Sequence, residues 1–67
     1  MRLAETYQVG DRVDIRLVEE TRYRGAIISK IEDDWVTVIL NLRDGAITEV
    51  ISIRQIANMG RSIQKFT

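Results

Sequence analysis

The stretch "YRGAIISKIEDDWVTVIL", Tyr23 to Leu40, decides how this chain folds. Its two ends read as strands and its middle as a turn. In the first strand Tyr23, Gly25, Ile27 and Ile31 fall on one face, with Arg22, Arg24, Ile28 and Lys30 on the other. After the turn, Val36, Val38, Leu40 and Leu42 alternate with Trp35, Thr37, Ile39 and Asn41. Between the strands stands Glu32-Asp33-Asp34, followed at once by the only tryptophan of the chain. A core has more use than a hairpin tip for the largest apolar side chain, so Trp35 is a candidate binding residue. The three carboxylates read as a solvated strand end. A calcium loop needs ligands at longer, fixed spacing about a central glycine.

Working outward, "QVGDR" is a turn, because Gly10-Asp11 punctuates the chain before an alternating run. In that run Val13, Ile15 and Leu17 form the apolar face of a half-buried strand, and "EET" turns the chain into Tyr23–Leu40. Downstream, "RDGA" is a hairpin signal, since Asp-Gly suits the positive dihedral angles of tight turns. A fourth strand is expected over Ile47–Ile53, a bend at Arg54-Gln55, and a fifth strand, "IANM", ended by Gly60. "AETYQ" offers one helical turn, too short to be a helix of consequence. Gly25, inside a strand, marks a sharp bend or a close backbone approach.

Five short strands with tight turns predict an all-β, five-stranded, strongly bent small barrel, closed or nearly so. Residues 1–67 form one domain, with the barrel over about 9–60 and a tail over 61–67. The expected core is Val13, Ile15, Leu17, Tyr23, Ile27, Val36, Val38, Leu40, Ile51 and Ile56. Ile28, Ile39 and Val50 then lie on faces otherwise polar. Two readings fit them: a bent sheet with both faces partly covered, or an oligomer interface.

Composition narrows the chemistry. The chain has no Cys and no His, which excludes disulfides and an ordinary zinc site and leaves no customary base or nucleophile. Ser29, Ser52 and Ser62 have no partner base implied by spacing. No catalytic residue, metal or cofactor is expected, and the protein is read as a non-enzyme. Ten basic and ten acidic side chains cancel, so a strongly basic nucleic-acid binder is not indicated. The acids all precede residue 50, however, and Arg54, Arg61 and Lys65 follow it without one, which leaves room for a local basic face. No apolar run approaches the roughly 18 residues that span a bilayer, and "MRLAETYQ" lacks the apolar stretch of a signal peptide. The expectation is a soluble, cytoplasmic protein. Arg22-Tyr23-Arg24 has the composition of a nucleic-acid patch. Alternation turns Tyr23 inward and leaves Arg22 and Arg24 as an exposed pair, offset by the nearby Glu19 and Glu20.

Taken in order, "VDIRLVEETRYRGAI", "DDWVTVIL" and "EVISIRQIANM" resemble the Sm-like family, bacterial Hfq in particular. The likeness runs over roughly residues 12–59. It consists of an apolar pattern at Val13, Ile15 and Leu17, a Gly where Gly25 stands, an acid and an aromatic around the next turn, and a polar bend before the last strand. It implies a ring of barrels whose loops line a shared pore and bind single-stranded RNA. The family's base-stacking aromatic falls on Trp35, its following polar residue on Thr37, and its bend residue on Arg54. The chain departs from the family at Glu20, where a turn glycine is usual, at Thr37, which is not Asn, and in the room left for an N-terminal helix. "VGDRVDIRL", "YRGAI" and "ISIRQI" are also similar to Tudor and other SH3-like barrels, which implies the alternative of a structural or protein-binding module with no nucleic-acid role. Only Tyr23 and Trp35 are at hand for a Tudor-type aromatic cage.

Self-association is expected on separate grounds. So small a domain has little buried surface and no disulfide or metal to supplement it. The fourth strand, "ITEVISI", is an apolar edge that invites another strand. In the Sm-like reading it pairs with "IANM" of the next subunit, and a fixed rotation closes a homo-oligomeric ring of five to seven subunits.

Overall fold

The structure, a computed structural model, describes residues 2–63. A short helix α1 (Leu3–Thr6) precedes strands β1 (Arg12–Leu17), β2 (Arg22–Ile31), β3 (Trp35–Leu42) and β4 (Gly45–Ser52); a 3-10 turn (Ile53–Gln55) leads into β5 (Ile56–Arg61). The strands form one antiparallel sheet in the order β4-β3-β2-β1-β5. The all-β, five-stranded expectation holds. Closure does not: β4 and β5 are the two ends of the sheet, and no ladder joins them. The fifth strand also runs past the expected stop, because Gly60 pairs opposite Asp14 and Arg61 opposite Val13. Ser62 continues the contact by donating its N–H to the Arg12 carbonyl at 2.9 Å. Of the expected tail, residues 64–67 lie outside the described residues.

One apolar cluster holds the sheet together: Leu3, Val13, Ile15, Leu17, Ala26, Ile28, Val36, Val38, Ile51 and Ile56. Seven of the ten residues expected in the core are there, and Tyr23 and Leu40 pack, half-buried, at its margin. Ile27 is the error. Ile28 is fully buried in its place, and Ala26 with it.

The cause is a pair of bulges in β2. Against β1, Tyr23 pairs with Ile15 but Ala26 with Val13, so three steps on β2 match two on β1. The extra residue falls at Arg24-Gly25, where Gly25 takes φ 67°, a left-handed conformation that favours glycine. Its N–H donates to Asp14 Oδ1 at 2.8 Å. Against β3, Ile28 pairs with Val38 and Lys30 with Thr37, so Ser29 is the second extra residue. Each bulge reverses the faces. Tyr23 points to the core side, Ala26 and Ile28 do so after the first bulge, and Ile31 does so after the second.

The N-terminal turn matters more than its length implies. α1 has four residues, yet Leu3 is only 2% exposed and belongs to the core. Arg61 holds the turn down. Its Nη2 donates to the Thr6 carbonyl at 2.7 Å and lies 3.7 Å from Asp11 Oδ2, and its guanidinium sits 5.2 Å from the centroid of the Tyr7 ring. Tyr7 Oη donates in turn to the Met59 carbonyl at 3.0 Å. Among the described residues no helix is long and apolar enough to cross a membrane.

Candidate nucleic-acid interface

Two turns meet at one end of the sheet. The β2–β3 turn closes with the Glu32 N–H donating to the Trp35 carbonyl at 2.8 Å, and the Ile53 N–H donates to the Asp34 carbonyl at 3.0 Å. The second bond ties the acidic tip to the 3-10 turn that carries Arg54. Trp35 therefore opens β3 directly opposite Ser52, one residue before the 3-10 turn begins.

Alternation decides which way each side chain faces. Val36 and Val38 enter the core, so Trp35 and Thr37 stand on the outer face. Trp35 is 47% exposed and Thr37 half-buried, and Arg54 is exposed in the middle of its turn. Trp35 and Arg54 thus share one end of the sheet, and Thr37 follows two residues inward on the tryptophan's own face. Opposite Thr37, on the same outer face, is Val50 at 58% exposed. Its surplus was visible in the sequence, but its place beside Thr37 depends on the β3–β4 register.

The electrostatics of this end are mixed. Glu32 lies 3.9 Å from Lys30, whereas Asp33 and Asp34 are exposed and in no ion pair among the described residues. The backbone carbonyl of Asp34 is committed to Ile53, and its carboxylate faces water beside Trp35. The described residues contain no group of carboxylates placed to hold a metal ion. The tip offers an apolar plate, one guanidinium and two free carboxylates. These can stack on a flat ring and pair with opposite charge.

Tyr23 stands on the core side, half-buried. Burial raises its phenol above the usual tyrosine range, and the negative charges of Glu49 and Glu19 add to that effect. Glu19 accepts from Thr21 Oγ1 at 3.0 Å. The expected offset of Arg22 and Arg24 by Glu19 and Glu20 is not formed, because no ion pair joins them. Arg16, which the sequence did not single out, stands directly opposite Arg22. No protein-family model, no curated protein and no solved structure matches the chain.

Proposed function

We propose that this chain is a self-assembling, Sm-like β protein that holds single-stranded RNA without catalysing a reaction on it. The observation that carries the reading is the placement of exposed Trp35 beside the turn bearing Arg54, tied by the Ile53–Asp34 hydrogen bond. A base stacked on an indole contributes about 1–3 kcal/mol and needs no particular sequence. Arg54 is the matching cation for a phosphate, and Thr37 supplies a hydroxyl on the same face as the tryptophan.

Assembly fits the two open edges of the sheet. β4 of one copy pairs with β5 of the next, a head-to-tail contact that closes into a ring of five to seven subunits on the family resemblance. Such a ring repeats Trp35 and Arg54 around one pore. It also covers part of the apolar surface at Ile47 and Val50, which are 44% and 58% exposed.

A second reading, a protein-binding SH3-like barrel with no nucleic-acid role, draws support from Asp33 and Asp34, whose free carboxylates repel phosphate next to Trp35. Titration with short U-rich and A-rich RNA at low and moderate salt separates the two. The RNA reading expects binding that weakens as salt rises, because phosphate contacts release counterions. It expects Trp35→Ala to cost about 1–3 kcal/mol, and Arg54→Gln to reduce the salt slope by about one. No binding at low salt overturns it. Native mass spectrometry tests the ring separately, and a clean monomer at micromolar concentration overturns that part.

A further inference from the structure

Three arginines on the outer face of β1 and β2 are left without a task by the reading above. Arg16 and Arg22 are directly opposite each other. The Leu17 N–H donates to the Thr21 carbonyl, so the Arg16–Arg22 position between such bonds is a non-hydrogen-bonded pair, the kind that brings side chains nearest. Opposite residues of an antiparallel pair share a face, and like charges placed so oppose folding. None of Arg16, Arg22 and Arg24 is in an ion pair among the described residues. A fold that sets two arginines directly opposite each other, neither paired with an anion of the chain, is arranged to receive an external one.

The surroundings have the form of a site. Arg16 pairs on its other side with Asn58 of β5, so a row of donors, Arg22, Arg16 and Asn58, crosses three strands on one face. Beside that row Gly60 lies opposite Asp14, and the missing side chain leaves the floor open. The result is a groove of about 690 Å³, lined by these residues together with Arg24 and Gly25. That volume lies within the roughly 300–1,000 Å³ of small-molecule sites. The groove contains one carboxylate, Asp14, whose Oδ1 already accepts the Gly25 N–H at 2.8 Å. Arg61 also lines the groove but is turned to Asp11 at 3.7 Å, so Arg16, Arg22 and Arg24, unpaired, stand against the one carboxylate and leave the groove positive.

We propose that this groove binds a small ligand carrying a terminal di- or triphosphate. Arg16 and Arg22 clamp the terminal phosphoryl group, and Arg24 and Asn58 reach the phosphates behind it. A terminal phosphoryl group has nearly two negative charges and three free oxygens, enough for two bidentate arginines at once. A phosphodiester, with one charge and two free oxygens, does not satisfy both. The converging pair therefore favours a chain end over a nucleic-acid backbone.

Isothermal titration with sodium triphosphate and, separately, adenosine triphosphate tests this on the full chain. Equal affinity marks the phosphates alone as the ligand, and tighter binding of the nucleotide marks a nucleoside triphosphate; both support the site. Arg22→Gln and Arg16→Gln are each expected to weaken triphosphate by about tenfold or more. Arg43→Gln, in the β3–β4 turn away from the groove, makes the same charge change and is expected to stay within about twofold. The thermal midpoint of Arg22→Gln is not expected to fall, since the substitution relieves a repulsion, so a lost signal cannot be assigned to unfolding. Three results overturn the proposal: no triphosphate binding tighter than about 1 mM, equal losses in Arg22→Gln and Arg43→Gln, or a groove that takes 5′-hydroxyl RNA and ignores triphosphate.

Discussion

The β3–β4 hairpin is the most regular part of the molecule, though half of it is exposed; β2 is irregular and lies at the centre of the sheet. β3 and β4 run through eight consecutive pairs, from Trp35 opposite Ser52 to Leu42 opposite Gly45, with no shift of register. Yet residues 41–48, the far half of that ladder, are all exposed. β2 is interrupted twice and still contributes the fully buried Ala26 and Ile28. Regular backbone hydrogen bonding and stability are thus separate matters. A ladder whose bonds face water contributes little net free energy, and burial of apolar surface decides where the domain is strong.

The strongest test of this contrast lies within a single strand. Val38 is 0% exposed and Leu42, on the same face of β3, is 52% exposed. Val38→Asp buries an unpaired charge and is expected to cost about 4 kcal/mol or more, enough to abolish cooperative unfolding in a domain of this size. Leu42→Asp is expected to change stability by less than about 0.5 kcal/mol. Urea unfolding followed by circular dichroism reads both, and a folded Val38→Asp variant would overturn the face assignment.

A smaller effect separates two neighbours that lie between the bulges. Ile28→Ala is expected to cost about 3 kcal/mol, and Ile27→Ala, at a half-buried site, about 1 kcal/mol. A larger loss at Ile27 than at Ile28 would mean that the bulge at Arg24-Gly25 does not reverse the faces of β2. Smaller again, and opposite in sign, is Glu20→Gly. Glu20 holds φ 81° in the β1–β2 turn, where a side chain costs energy and glycine does not. The variant should gain about 0.5–1 kcal/mol, somewhat reduced by the freer unfolded chain.

The smallest expected change depends on pH. The phenol of Tyr23 is raised above 10.0 in the folded protein, by burial first and then by Glu49 and Glu19. The folded state keeps this proton while the unfolded chain releases it. The stability linked to Tyr23 is therefore full below pH 10.0 and is lost as pH rises from there through the folded value. Tyr23→Phe should flatten that alkaline loss and leave the neutral midpoint nearly unchanged. An equally steep decline in both proteins would remove the effect.

The contrast also explains what could be read from residue order. The β3–β4 hairpin was legible because even alternation and Asp44-Gly45 survive intact in the folded chain. In β2 the alternation is broken twice. Gly25 reads as a bend but not as an added residue, so the reversal of faces after it was missed and Ile27 was taken for Ile28; Ser29, the second break, has no compositional signature. Leu3 was not legible because a single turn is too short to show a periodicity. At the candidate site, exposed Trp35 was visible from its acidic neighbours, whereas its pairing with Arg54 came from the Sm-like resemblance and not from spacing. Arg16 escaped notice because its partner across the sheet is set by how the β1–β2 turn closes, with the Leu17 N–H on the Thr21 carbonyl, which residue order alone does not fix.

The two extra residues of β2 also act as the notches of a key. A smooth strand can slide by two residues and still present its apolar side chains to the same face, so such slips are cheap. β2 cannot. A two-residue slide against β1 would carry Gly25 away from its bulge and place a side chain where the backbone is left-handed, while Ser29 would lose its own step against β3. The notches face different neighbours, so no single displacement satisfies both. Slipped pairings of β2 are therefore disfavoured while the chain is still folding.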